Sequence, residues 1–344
     1  MLDFVQKRNW YYLLSLLVLL PGVISLIVPP ALKPGIEFSS GSMLEVSFQN
    51  PVKQQEVRDE ISALGHPEAT VQSTGPNRYL IRTSLLSGSG AQAPEGGPQP
   101  IGEQQSIVRA LFDKFGPMLK DDGSLAVDSA GNPIPWTVQS SAVSSTVSRE
   151  IGQKSMIAVA VASVAILLYI SWAFRSIPNP FRCGIAATIA TMHDVVLVMG
   201  AYSIFGKVFN MEVNTMFITG LLTVIGFSVH DTIVVLDRIR ENRSRYPDLP
   251  LHEVVNNSIL QTLGRSINTS FTVILAVTAL LLIGGVTIRP FLVVMLIGTI
   301  TGTYSSIFVA SQILVTWEEG DIPRLFRRIT HIIPRRAGTV PEEG

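Results

Sequence analysis

The chain has 344 residues, 47% of them hydrophobic and only 15% charged, and its mean hydropathy is +0.37; this is too apolar for an ordinary soluble domain and reads as an integral membrane protein. The 26 basic and 26 acidic residues cancel, so no net positive field points to nucleic acid, and the single cysteine, Cys183, excludes an intrachain disulfide or a cysteine-rich metal site. His66, His193, His230, His252 and His331 show no i, i+4 ligand spacing, so no metal is expected.

Tyr11 to Val28 is an apolar run preceded by Lys7 and Arg8 and closed by Pro29-Pro30. Its length, the interfacial Trp10-Tyr11-Tyr12 and the lack of a small-x-small cleavage site predict a retained first helix. Further spans are expected at 155–174, 184–205, 214–237, 266–285 and 290–316, each near or above the ~20 residues that a ~30 Å hydrocarbon core requires. Lys7, Arg8, Arg175, Arg182, the arginines from Arg238 to Arg245 and those from Arg324 to Arg336 then fall on one face, against Lys207 and Arg289 on the other. By the positive-inside rule the basic face is cytoplasmic. The expected organisation is residues 1–29 as a cytoplasmic N-terminus and first helix, 30–152 as an extracytoplasmic domain of periplasmic type, 153–317 as helices two to six, and 318–344 as a basic cytoplasmic tail. No matched halves are visible within the chain, so any symmetry mate is expected on a second polypeptide.

Within the long loop, Met43 to Gln49 alternates as a half-buried strand does, and Gln54 to Leu64 has helical spacing. Ala69 to Gln72 and Arg78 to Thr83 read as strands around a Gly75-Pro76-Asn77 turn. The stretch 87–102, rich in Gly, Pro, Ser and Gln, predicts a flexible loop. Glu103 to Phe115 is amphipathic, and Trp136 to Val147 reads as a last strand. The order β, α, β, β, α, β predicts a ferredoxin-like α+β domain between helices one and two of a six-span α-helical membrane protein.

Ionisable groups at membrane depth cost roughly 2.5–3.5 kcal/mol on insertion scales, so they normally face a protein interior or a water path. Asp231 in the fourth span, Asp194 in the third and Arg265 at the expected start of the fifth are such groups. Ser228 lies at i−3 from Asp231, and Asn268, Thr269 and Thr272 follow Arg265 at i+3, i+4 and i+7, which makes two polar stripes. These could carry a proton between Asp231 and Arg265; a static buried ion pair, or an arginine snorkelling to the interface, is the alternative. His193-Asp194 reads first as a pair that orients a neighbouring helix and second as a further relay element, and His230 as a packing or solvating group. Asp237, Arg238, Arg240, Glu241 and Asn242 would stop the span and anchor topology, with a specific cytoplasmic contact as the further reading. Gly298 and Gly302 have the small-xxx-small spacing of a close helix contact.

The run Gly226 to Asn242, with Gly35-Ile36-Glu37-Phe38, His193-Asp194-Val195, Gly264-Arg265-Ser266 and Thr269-Ser270 in order, resembles the SecF signature of the SecD/SecF family in the resistance-nodulation-division superfamily. The likeness covers most of the chain; Ser39-Ser40-Gly41, Val143-Ser144-Ser145 and His230 depart from the usual pattern. The resemblance implies a non-enzymatic auxiliary subunit of the Sec protein-translocation machinery in the bacterial cytoplasmic membrane. It would use the proton motive force through Asp231 and Arg265 to drive motion of the extracytoplasmic domain, with H⁺ as coupling ion or Na⁺ in its place and no cofactor. The implied partners are a SecD-like subunit, the SecYEG channel, YajC, the emerging unfolded polypeptide and membrane lipids, with no nucleic acid. Rival readings are an intramembrane aspartyl protease using Asp194 and Asp231, which lacks its Gly-x-Gly-Asp element here, and a small-molecule or lipid exporter.

Overall fold

The computed structural model describes residues 3–86, 102–175 and 180–318. All but the last residue of the 87–102 loop, and all but the first of the 318–344 tail, lie outside the described residues. Helix α1 (Arg8–Ile27) and the short α2 (Ile36–Ser39) lead into β1 (Gly41–Ser47), α3 (Gln54–Ala63), β2 (Thr70–Gly75), β3 (Arg78–Thr83), α4 (Glu103–Phe115) and β4 (Gln139–Val143). The long helices α5 (Ser145–Ala173), α6 (Pro180–Phe209), α7 (Thr215–Arg245) and α8 (Leu251–Ile283) follow. The last span is α9 (Arg289–Ser305), a π-helical turn (Ser306–Ala310) and α10 (Ser311–Glu318). Among the described residues six helices are long and apolar enough to cross a membrane: α1, α5, α6, α7, α8 and the α9–α10 unit.

The α+β domain is an antiparallel sheet of order β2-β3-β1-β4, as the ferredoxin-like reading requires. In β3 every second residue is buried: Tyr79, Ile81 and Thr83 point to one face, where Tyr79 and Ile81 meet Leu44, Val46 and Phe48 of the β1 strand and the segment that leaves it. Val57 and Ile61 of α3, with Ile107, Val108 and Leu111 of α4, close that core. The last strand is shorter than the Trp136 to Val147 run expected, because Ser144 caps a helix: its Oγ accepts from Val147 N at 3.4 Å, and α5 starts at Ser145.

Beside this core, Glu68 accepts from Thr83 Oγ1 at 2.8 Å and Ser84 Oγ at 2.9 Å. Its own backbone N–H and these two hydroxyls hold its carboxyl down at about 2 from an ordinary 4.5. A carboxyl depressed on folding stabilises the fold above pH 4.5, and that contribution disappears as pH falls through its folded value near 2. Hydrogen exchange of the β2 and β3 amides in the full-length protein should therefore accelerate as pH is lowered across this window, after correction for intrinsic exchange, and Glu68→Gln should remove that component.

Helices α7 and α8 run further than hydropathy suggests. Helix α7 continues to Arg245 and α8 begins at Leu251, so Arg265 sits about four turns inside its helix rather than at its start. Helical ion pairs account for the charged burst: Arg240–Asp237 at 2.7 Å, Arg238–Glu241 at 2.5 Å and Arg245–Glu241 at 2.9 Å. The buried Asn242 clamps the hairpin, donating to Ser258 Oγ at 2.8 Å and Gln261 Oε1 at 2.9 Å. The charges thus pair along α7 itself, while Arg238 and Asn242, both bonded to Gln261, tie α7 to α8 beyond the apolar stretch.

Close approach of α7 and α9 depends on two glycines. A Cβ on Gly298 would lie 2.1 Å from Val224 Cγ2, and one on Gly302 would lie 3.2 Å from Ser228 Cβ. Any side chain at Gly298 would push the helices apart, as small-residue membrane contacts predict.

Candidate functional site

The bundle has two apolar clusters on the same helices. One includes Val198, Tyr202, Phe217, Val224 and Val294, nearer the α+β domain, and the other Phe174, Ala186, Leu236, Ile259 and Val315, toward the arginine-rich ends. Between them lies a polar layer built from α6, α7 and the last span. Asp194 is 0% exposed there. Ser228 Oγ of α7 and Ser305 Oγ of α9 each donate to its Oδ2 at 2.6 Å, and His193 Nδ1 is 3.0 Å from its Oδ1. These are short bonds, and they leave Asp194 enclosed by its own chain.

Ser305 and Ser306 can both turn into this layer because the π-helical turn starts at Ser306. Such turns widen a helix locally and are frequent at functional sites. Ser306 Oγ lies 2.7 Å from Gly302 O and 3.0 Å from Thr232 Oγ1, and Thr232 Oγ1 lies 2.9 Å from Ser228 O, so two hydroxyl protons serve three contacts. The hydroxyl of Ser228, expected beside Asp231, therefore reaches across to Asp194. Ser305 and Ser306 went unread in the sequence, although they continue the face marked by Gly298 and Gly302.

Asp231, on the next turn of α7, is differently placed. It is 5% exposed, yet among the described residues its Oδ2 has no hydrogen-bond partner, and neither does the buried Ser266 Oγ of α8. Ser266 faces this carboxyl, and His230 and Arg265 are close enough to act on it electrostatically. No direct ion pair joins Arg265 to Asp231 among the described residues. Arg265, Asn268, Thr269 and Thr272 of α8 point out of the bundle, as does His230 of α7. Thr269 and Thr272 turn their hydroxyls back on the helix, to Arg265 O at 2.9 Å and Thr269 O at 2.7 Å. The two carboxylates also differ from an aspartyl dyad, since both Asp194 oxygens are taken by serine and histidine side chains.

A six-span α-helical bundle carrying one ferredoxin-like domain after its first helix, with carboxylates buried on two successive helices, defines a polytopic membrane protein of transport type. Residues 130–320 match the family model described as protein export membrane protein SecD/SecF, C-terminal. The chain belongs to the SecD/SecF family, as its motifs suggested. It is 43% identical to the protein translocase subunit SecF of Thermobaculum terrenum over 95% of this chain and 98% of that one. It is 32% identical to the protein translocase subunit SecDF of Bacillus subtilis, covering 94% of this chain and 39% of that one. The crystal structure of SecDF from Thermus thermophilus, described as a translocon-associated membrane protein, matches with a TM-score of 0.74 at 28% identity. That match covers 92% of this chain and 39% of the SecDF chain, so the chain spans about two fifths of these longer relatives.

Proposed function

We propose that the chain is an auxiliary subunit of the bacterial Sec protein-export machinery, seated in the cytoplasmic membrane with both termini in the cytoplasm and the α+β domain outside. In this reading Asp231 takes up and releases the coupling ion, a proton, and Arg265 tunes it from the neighbouring helix. The resulting shift of α7 moves the domain and helps an unfolded polypeptide leave the SecYEG channel. The activity is mechanical rather than enzymatic and needs no cofactor.

The observation that carries this reading is the buried oxygen of Asp231 that no described residue bonds, beneath a polar face that the described residues leave uncovered. His230, Arg265 and Asn268 would be costly against lipid, and open space surrounds Gly226 and Gly264 on the same helices. A SecD-like six-span partner laid across α7 and α8 would cover these groups and close a shared ion path. The Bacillus subtilis and Thermus thermophilus relatives carry both names in one chain, which suits such a pairing.

The pairing is tested with Asn268→Cys in membranes containing the SecD-like subunit. A short reagent with a thiol-reactive end and a photoreactive end, attached at that position, should join the two chains on irradiation, and labelling by a lipid-soluble maleimide should drop when the partner is present. Unchanged labelling with no cross-link would reject the shared face.

A further inference from the structure

Among the described residues, four contacts tie the α+β domain and its linker to the loop of one hairpin of the bundle. Lys33 and Gly35, in the linker after α1, form a parallel bridge with Val213: Gly35 N donates to Val213 O at 2.7 Å and Val213 N to Lys33 O at 2.8 Å. Lys33 Nζ donates to Asn210 Oδ1 at 2.5 Å. From the sheet itself, Arg82 of β3 reaches over to pair with Glu212. Tyr202 of α6 donates its hydroxyl to Glu212 O at 2.9 Å, which fixes the loop carrying that carboxylate.

The hairpin is α6–α7, whose loop holds Asn210, Glu212 and Val213, and its two helices carry Asp194 and Asp231. The Lys33 and Gly35 contacts grip a linker. The Arg82–Glu212 pair grips a strand flanked on both sides by β1 and β2, so it alone of the four reaches the body of the sheet. Both side chains are mostly shielded, at 20% and 17% exposure. Each also keeps one buried atom without a hydrogen bond among the described residues, Arg82 Nε and Glu212 Oε2. Burial draws the Arg82 guanidinium down to about 10, against the pull of Glu37 and Tyr202, which leaves it a cation at neutral pH. A pair with unused hydrogen-bonding capacity is a poor choice for stability alone, since apolar residues of the same volume often hold such an interface better. A directed tie between two rigid bodies is what it does supply.

We infer that Arg82 and Glu212 form the joint through which the carboxylate-bearing α6–α7 hairpin moves the α+β domain. This rests on the coupled-transport reading above and names its mechanical link. The joint stays closed as the hairpin shifts, so the sheet follows the loop.

The test uses the full chain with its SecD-like partner in inverted membrane vesicles, and reads the ratio of protein export with and without a proton gradient. Glu212→Gln keeps the shape and removes the charge. It should lower that ratio at least about fivefold, the lower end of ordinary coupling strengths, while gradient-independent export and partner assembly stay unchanged. Arg82→Cys/Glu212→Cys, in a Cys183→Ala background, separates coupling from folding within a single sample. Uncross-linked, it should be uncoupled; bridged by a short thiosulfonate reagent it should recover, and a thiol reductant should reverse the recovery. A full export ratio in Glu212→Gln, or bridging that restores nothing in an assembled complex, would overturn the joint. If the unaltered chain shows no gradient-dependent export, the underlying reading fails whatever these variants do.

Discussion

Asp231→Asn, assembled with the SecD-like partner in membranes, is expected to lose all proton-gradient stimulation of export while expression and assembly persist. The substitution keeps the size of the side chain and removes only its ability to exchange a proton. Because Oδ2 of Asp231 has no hydrogen-bond partner among the described residues, little internal structure is lost with the charge. The effect should be large. One elementary charge crossing a 100 mV potential supplies about 2.3 kcal/mol, which shifts a two-state equilibrium about fiftyfold. Without a titrating group that bias falls to zero, so export should settle at its gradient-free level. Collapsing the proton gradient at constant Na⁺ should reproduce the defect in the unaltered protein; persistence of stimulation under that condition would assign the coupling to Na⁺. Full stimulation in Asp231→Asn would end the role assigned to this carboxylate.

The parts of the fold legible in the sequence are those that a local pattern encodes. A span needs only length and apolarity, and β3 needs only alternation, so both are visible before any partner is known. The extensions of α7 and α8 were hidden because Asp237, Arg238, Glu241, Glu253 and Gln261 interrupt the apolar run, although charge at i, i+3 and i+4 is itself a helical pattern. The polar layer was half legible. A carboxylate inside a span declares itself, whereas Ser228, Ser266, Ser305 and Ser306 look alike until the helix opposite each of them is placed. Chain proximity assigned Ser228 to Asp231. Packing assigned it to Asp194, because Gly302 lets α9 come close enough for Ser305 to share that carboxylate. The Arg82–Glu212 contact has no sequence signal at all, since its partners lie 130 residues apart on separate bodies.

Asp194 should behave as the opposite of Asp231, and the contrast separates a fixed carboxylate from a working one. Asp194→Asn puts an NH₂ donor where a carboxylate oxygen stood, facing either the two serine hydroxyls or His193 Nδ1, so either a serine loses this acceptor or the imidazole proton sits on the buried Nε2, which has no partner among the described residues. An unsatisfied buried polar group of this kind costs about 1–3 kcal/mol. The expected result is a lowered thermal midpoint for the detergent-solubilised chain, with gradient-stimulated export per assembled complex within about twofold of the unaltered protein, less than the weakest ordinary coupling. Ser305→Ala in the Asp194→Asn background should recover part of the lost stability, because it removes one competing donor. Asp194→Leu, which strips both serines of their acceptor and sets a branched chain against α7 and α9, should prevent assembly. Asp194→Asn that stays stable yet loses gradient stimulation would move this carboxylate into the ion path beside Asp231. The enclosure of Asp194 argues against that: its Oδ2 accepts from two helices and its Oδ1 faces His193, so an arriving proton would have to displace bonds that hold α6, α7 and α9 together.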